Sequence, residues 1–208
     1  MNRRIKKLAA LICVIAIFAL LGCSVKVSKP VTTTKLSEYI YHGPENKDYS
    51  QAGVAVFRFE SPNLYSMVSR VQTPDPGYAA AHRLYQQLLQ GAVFKKLVAL
   101  YDHEGLTLAR KIEIARGEGC ELLITGTVPY YFEGGPLSES KVEQEITVID
   151  VMRQETVLYA ASTAVGKPVD YFDYIIIIAE SQPAPPASSL LVANARKFTN
   201  LLSGFTSQ

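Results

Sequence analysis

The N-terminal segment constrains this chain more than any other part of the sequence. Four basic residues lie within the first seven positions, and an uncharged apolar run follows over residues 8–21. A membrane-spanning helix needs about 20 apolar residues, so this run is short for a permanent span. A basic start followed by a short apolar core is the layout of an export signal. We therefore expect residues 1–22 to be a signal peptide that is removed from the mature protein.

The apolar run ends in Leu20, Leu21, Gly22 and Cys23. This tetrad resembles the lipobox of bacterial lipoproteins, in which small or aliphatic residues precede a cysteine. The resemblance implies cleavage after Gly22 and a lipid such as palmitate on Cys23, which would anchor the protein to a membrane. The alternative is an ordinary secretory signal with a cysteine there by chance. Ser24, not aspartate, follows the cysteine, and by the lipoprotein rule this favours the periplasmic face of the outer membrane of a Gram-negative bacterium.

Removal of the signal changes the charge of the chain. The full sequence has 21 Lys+Arg and 19 Asp+Glu. Four of the basic residues lie in the signal, so the mature chain has 17 basic and 19 acidic side chains. Nucleic-acid binding needs a clustered basic face, which this balance does not indicate.

The cysteines exclude one common way of stabilising an exported protein. Cys13 lies in the signal and Cys23 is the expected lipid carrier, which leaves Cys120 alone. The mature chain cannot form an intramolecular disulfide, so it must build an adequate apolar core. Cys120 precedes an apolar run, and we expect it to be a small buried hydrophobe and not a reactive thiol.

Three segments are expected. Residues 1–22 are the signal, residues 23–51 are the lipidated cysteine and a flexible tether, and residues 52–208 are one globular domain. The tether is polar, contains Pro30 and three consecutive threonines, and shows no sustained period. Tyr39, Ile40 and Tyr41 could dock its end on the domain.

Hydrophobic periodicity predicts the elements of the globular domain. Apolar or alternating runs predict strands at 54–59, 96–101, 122–128, 142–152 and 156–165. Amphipathic spacing predicts helices at 78–90, at 104–116 and from Ser188 or Ser189 onward. Residues 171–178, with four isoleucines in a row, favour a strand, although periodicity leaves strand or helix open.

The order β-α-β-α-β-β-β, an extended segment and then α predicts an α/β fold of the mixed, α+β kind. One mixed sheet with helices packed on one face satisfies this order. The predicted core residues are spread over these elements: Val54, Val56, Leu84, Leu88, Ile112, Leu123, Val148 and Phe198.

A family resemblance lies in residues 108–128. There a predicted helix leads into the sequence GCELLITGTV at 119–128. This resembles the helix and "GADYLITGTV" signature of envelope lipoproteins of the CsgG/LpoB type and of the N-terminal domain of TolB. In element order the resemblance covers residues 53–165. It implies a non-enzymatic α/β module of the periplasm that acts in envelope assembly, secretion or transport through contacts with envelope proteins or further copies of itself.

Two departures limit what the resemblance transfers. CsgG subunits supply long amphipathic hairpins to a membrane pore, whereas the hairpin predicted at 141–165 carries Glu143, Gln144 and Glu145 together. A lipid-facing strand would keep apolar residues on its outer face without such charges. LpoB-type activators use a long disordered tether, and the tether predicted here is shorter. The fold and the broad role carry over, but no functional residue does.

The sequence contains no recognised catalytic or metal-binding motif. His42, His82 and His103 are isolated, without zinc-ligand spacing, nucleophile elbow or P-loop nearby. No catalytic residue, cofactor or metal is therefore predicted. Asp102, His103 and Glu104 could form half of an acid–base site, which makes a periplasmic hydrolase around His103 the alternative function. The simpler interpretation is a solvated loop with acidic charge at a helix start.

Aromatic residues cluster beside glycines and prolines at two places. One cluster is Tyr130, Tyr131 and Phe132, and residues 171–174 hold the other. Exposed aromatic clusters often anchor partners, whereas buried ones close the end of a sheet. We predict that Tyr130, Tyr131 and Phe132 are partner-contact residues.

Replacing the predicted lipid carrier tests the anchor. Cys23→Ala should leave unprocessed precursor and abolish labelling with a radioactive fatty acid, because the acceptor sulfur is gone. Electrophoretic mobility and acyl labelling in cells measure both effects, and Cys13→Ala, inside the signal, is the matched control. Normal processing and labelling of Cys23→Ala would refute the assignment.

Overall fold

The computed structural model describes residues 29–41, 49–61, 75–169, 172–174, 177–179 and 182–206. The strands there are β1 Val31–Tyr41, β2 Gly53–Phe57, β3 Lys96–Leu100, β4 Leu122–Phe132, β5 Ser140–Asp150, β6 Glu155–Lys167, β7 Phe172–Tyr174 and β8 Ile177–Ala179. The helices are α1 Pro76–Gln90, between β2 and β3, α2 Leu108–Gly117, between β3 and β4, and α3 Ala187–Thr206, after β8.

Six strands form one mixed sheet in the order β1-β6-β5-β4-β2-β3. β2 runs parallel to both of its neighbours, β3 and β4, and every other pair is antiparallel. β7 and β8 pair with each other, so the segment left open between strand and helix contains strands. The predicted α/β class, with a single mixed main sheet and helices packed against it, is confirmed.

The structure corrects the tether assigned to residues 23–51. Residues 31–41 form β1, which pairs antiparallel with β6 from Val31 opposite Lys167 to Tyr41 opposite Leu158. β-branched threonines favour strands. The strand lies at a sheet edge and is largely exposed over residues 31–35, so it lacks the apolar alternation that predicts a strand from sequence.

The sheet has an apolar core on each face, because alternate residues of its central strands point in opposite directions. The larger core joins β2, β4, β5 and β6 to α1 and α3 and includes Val54, Val56, Leu84, Leu88, Ile124, Ile146, Val148, Leu191 and Phe198. The smaller core joins α2 to the other face and contains Ala55, Phe57, Ile112, Ala115, Cys120, Leu123, Ile149 and Val151. All eight predicted core residues are buried.

The expectation that helices pack on one face holds for α1 and α3 but is wrong for α2. The β2-α1-β3 unit steps from β2 to the edge, and the β3-α2-β4 unit steps back past β2 to β4. Both units connect parallel strands, and such crossovers are right-handed in nearly all proteins. Because the direction of travel reverses between the two units, the two helices fall on opposite faces.

Short-range signals determine where α1 and α2 begin. Asp75 caps α1 by accepting a hydrogen bond from the Gly77 nitrogen at 2.7 Å, and Pro76 takes the first turn. The predicted start of α2 at residue 104 is four residues early, because Gly105 has φ of 63° and Thr107 is the cap. Within the described residues, no helix combines the length and apolarity needed to cross a membrane.

The face of α1 can be tested by truncation. Leu88 is fully buried against the larger core, whereas its neighbour Leu89 is 58% exposed. Leu88→Ala should lower the free energy of unfolding by about 2–5 kcal/mol, and Leu89→Ala should change it by less than about 0.5 kcal/mol. Chemical denaturation followed by circular dichroism measures both. Equal midpoints for the two variants would show that the buried face is assigned wrongly.

Candidate partner-contact surface and a neighbouring cavity

A β-bulge in β4 determines which of the three predicted contact residues reach solvent. Thr127 pairs with Glu145 and Tyr130 pairs with Glu143, so β4 has one residue more than β5 between these pairs. Pro129, which has no N–H to donate, lies in this irregular stretch. The extra residue shifts the alternation, so that Tyr130 and Phe132 continue the face of Thr127.

Tyr130 and Phe132 are exposed on the face of the sheet that also carries α2. Their side chains are 40% and 44% exposed. The Lys141 ammonium lies 5.3 Å from the centre of the Tyr130 ring and forms an ion pair of 2.7 Å with Glu143. The hydrogen bond that the Lys141 ammonium donates to the Glu143 carboxylate is the main cause that raises the pKa of Lys141. The surface therefore combines two apolar rings with a paired cation and anion, and we call these four residues the β4–β5 surface.

Tyr131 points to the opposite side and is half-buried against the larger core. Burial, with a smaller contribution from the Glu133 carboxylate, raises the pKa of the Tyr131 phenol. Tyr131 thus closes one end of the core. For this residue, packing at the end of the sheet replaces the partner contact predicted from the sequence. The three consecutive aromatic residues divide into two exposed rings and one packed ring.

The β4–β5 turn is tied to the start of α3. The Glu133 carboxylate accepts a hydrogen bond of 3.3 Å from the Ala187 nitrogen, at the helix N-terminus where negative charge is favoured. Ala184 donates to the Gly135 carbonyl at 3.2 Å. These contacts hold the base of the turn, while Leu137 at its tip is 96% exposed.

A cavity of about 500 Å³ lies where β2 and β3 end. One wall is formed by residues 58–61 after β2 and by Asp75, and the other is formed by residues 103–107 after β3 and by Lys111. His103 is exposed in this wall. The cavity is the place where the alternative acid–base site around His103 has to be judged.

Arg58 holds two of the carboxylates of this cavity. Its guanidinium forms ion pairs with both Asp75 and Glu104. The Ser61 hydroxyl donates to Asp75 at 3.1 Å, so this hydroxyl is directed to a carboxylate and not to a histidine base. A nucleophile activated by general-base catalysis needs a hydrogen bond to that base. The described residues of the cavity therefore supply charged binding groups, and the Ser61 hydroxyl is held by Asp75 instead of His103.

Lys111 is a buried cation that sequence reasoning missed. Its side chain on α2 is 8% exposed, and its ammonium donates to the Thr125 hydroxyl of β4 at 2.9 Å. Burial lowers its pKa, against the opposing effect of Glu60. The sequence could have indicated this burial, because Lys111 directly precedes the apolar residue Ile112 and lies on the buried side of the helix. That pattern is ordinarily explained by a long side chain that reaches solvent.

A second group missed from sequence is a cluster of rings on α1 and at Tyr101, the residue after β3. Tyr78, His82 and Tyr85 each lie 5.3–5.8 Å from the ring of Tyr101, measured between ring centres. Burial is the first cause that raises the pKa of Tyr101. His82 is therefore part of an aromatic contact between α1 and the residue that follows the edge strand β3.

Two of the remaining predicted residues, Cys23 and His42, lie outside the described residues. Cys120 is buried and free, and burial raises the pKa of its thiol. In the described part of the chain, no group of three or more His, Cys, Asp or Glu side chains could hold a metal ion.

The fold defines the class of protein: an α/β domain built on a six-stranded mixed sheet. Among solved structures, the chain is similar to PelC from Paraburkholderia phytofirmans, which was solved as a dodecamer. The two are 18% identical with a TM-score of 0.54, over 83% of this chain and 98% of that chain. At this identity the likeness establishes a shared fold.

The chain is more weakly similar to the C-terminal domain of LpoB and to a lipoprotein of Neisseria. LpoB from Salmonella enterica is 11% identical with a TM-score of 0.40, over 57% of this chain and 85% of that chain. Lipoprotein GNA1162 from Neisseria meningitidis is 10% identical with a TM-score of 0.38, over 72% and 99%. No family model matches, and no curated protein matches. LpoB, which the sequence resemblance named, is thus among the similar structures, and the resemblance to CsgG stays a prediction.

Truncation separates the packed ring from the exposed ring. Tyr131→Ala should lower the free energy of unfolding by about 1–3 kcal/mol, because half of a large apolar side chain leaves the core. Phe132→Ala should change it by less than about 0.5 kcal/mol. Urea denaturation measures the free energy of unfolding of both variants. A larger loss for Phe132→Ala than for Tyr131→Ala would show that the bulge is assigned to the wrong position.

Proposed function

We propose that the protein is a non-catalytic lipoprotein, anchored through Cys23 to the periplasmic face of the outer membrane, whose α/β domain assembles with further copies of itself in the cell envelope. The observation that carries the proposal is the fold shared with PelC, which forms a dodecamer. The sequence from Leu20 to Cys23 supports the anchor, because a lipobox-like tetrad ends the short apolar run.

The contact surface that we propose for this assembly is the β4–β5 surface. Tyr130 and Phe132 present two large rings side by side on a strand face, and rings of this kind supply much of the binding energy in protein interfaces. Lys141 and Glu143 flank them as a polar rim. An exposed pair of rings on rigid strands needs little reordering on binding, which favours a contact role.

The alternative, a hydrolase around His103, has one observation in its favour. His103 lines the cavity together with the carboxylates Asp75 and Glu104. Against it, Arg58 engages both carboxylates and the Ser61 hydroxyl donates to one of them. If His103 acted as a general base, His103→Ala would lower a hydrolytic activity about 10²–10⁴-fold. In the proposed assembly role the same substitution leaves the phenotype unchanged.

The oligomeric state of the full-length protein in detergent tests the proposal. We expect a closed oligomer by native mass spectrometry, and we expect the double variant Tyr130→Ser, Phe132→Ser to dissociate at least about tenfold more readily on dilution. Met152→Ser is the matched control, because Met152 is 72% exposed in the turn at the other end of β5.

Two results would count against the proposal. A wild-type protein that stays monomeric at high concentration would remove the self-assembly role. An oligomer that survives the double variant unchanged, while the variant remains folded by circular dichroism, would leave assembly in place but move its interface away from the β4–β5 surface.

A further inference from the structure

The cavity between β2 and β3 occupies the position where open α/β sheets bind ligands. β2 and β3 are parallel neighbours, and the helices that follow them lie on opposite faces of the sheet. Because these two helices lie on opposite faces, a crevice remains outside the carboxyl ends of the strands. The volume of about 500 Å³ is within the range of small-molecule sites, roughly 300–1,000 Å³.

The wall of this crevice holds two cations with little exposure to solvent. The side chain of Lys111 is 8% exposed and that of Arg58 is 18% exposed. An ammonium has three N–H donors and a guanidinium has five. Within the described residues, Lys111 donates to Thr125 at 2.9 Å, and the nearest oxygen of Glu60 is 3.7 Å away. Both cations therefore retain donors that a ligand can use.

The carboxylates around these cations are of two kinds. Asp75 is fixed, because it is 16% exposed, caps α1 through Gly77 and accepts from Ser61. Glu60 and Glu104 have side chains that are 70% and 69% exposed, so they can move at small cost. Glu60 and Glu104, the rim carboxylates, neutralise the buried cations. The carboxylate of a ligand can displace them from Lys111 and Arg58, and the displaced glutamates stay close enough to bind a positive group of the same ligand.

We propose that this cavity binds a small zwitterion, an amino acid or a short peptide, with its carboxylate on Lys111 and Arg58 and its ammonium on Glu60 and Glu104. The charge count of the wall favours this class over a polyanion. Asp75, Glu60 and Glu104 outnumber the two cations, so a phosphate dianion meets net repulsion. A zwitterion satisfies both signs at once. The inference goes beyond the proposed assembly role and does not depend on it.

Calorimetric titration of the full-length protein in detergent tests the class of ligand. The probes are L-alanyl-L-alanine, its N-acetylated form, its C-terminal amide and inorganic phosphate. We expect the free dipeptide to bind about tenfold or more tightly than either blocked form, because each blocked form loses one charged contact. Tighter binding of phosphate than of the dipeptide, or no binding of the dipeptide, would overturn the proposal.

Substitution of Lys111 tests the carboxylate contact. Lys111→Met keeps the apolar stem and removes the ammonium, and it should weaken binding of the dipeptide by about tenfold or more. Arg110→Met on the same helix is the control, because Arg110 is 62% exposed and pairs with Glu113. It should leave the affinity within about twofold. Equal affinities for the two variants would refute the placement of the ligand.

Glu104→Gln gives a second test that does not depend on a buried residue. This exposed substitution should strengthen binding of the N-acetylated peptide, because Glu104 no longer competes for Arg58. It should also reduce the advantage of the free dipeptide, since one acceptor for its ammonium is lost. An unchanged ratio between the two affinities would contradict the role given to the rim carboxylates.

Discussion

The structure depends on β2, a strand of five residues that is buried along its whole length. It runs parallel to neighbours on both sides, and its alternate residues enter both cores, Val54 and Val56 on one face and Ala55 and Phe57 on the other. A strand covered on both faces must be apolar throughout, as this one is. The two crossovers around it run in opposite directions and put α1 and α2 on opposite faces, and the crevice at its carboxyl end follows from the same arrangement.

The bulge in β4 is the second constraint, since it links the core to the exposed surface. Before it, Leu122 and Ile124 pack under the helices α1 and α3, and after it Tyr131 takes over that position. A regular strand would have buried Tyr130 and exposed Tyr131 instead. The bulge therefore closes the core with one ring and leaves two rings at the surface. This is why a cluster read as one unit in the sequence has two different roles in the structure.

Much of the fold could be predicted from sequence, because apolar periodicity reports burial directly. The strands at 122–128 and 142–152 and all predicted core residues belong to this group. β1 was missed because an exposed edge strand has no apolar alternation. The two cations of the cavity, Arg58 and Lys111, could not be predicted from sequence. They lie close together only because β4, which follows α2, pairs with β2. In the "GTV" signature, Gly126 has a packing role: a Cβ there would lie 2.1 Å from the Glu145 carbonyl oxygen.

The sheet face that carries α2 is only partly covered by that helix. Among the described residues, α1 and α3 pack on one face and α2 on the other, where its core covers β2, β4 and the Ile149 end of β5 but includes no residue of β6 or β1. An uncovered sheet face has to be polar to remain stable in water. The side chains there meet this need in pairs, such as Glu145 with the Thr127 hydroxyl at 3.0 Å. Tyr130 and Phe132 depart from this polar pattern at the end of the sheet, and a covering partner is the physical condition that would account for them.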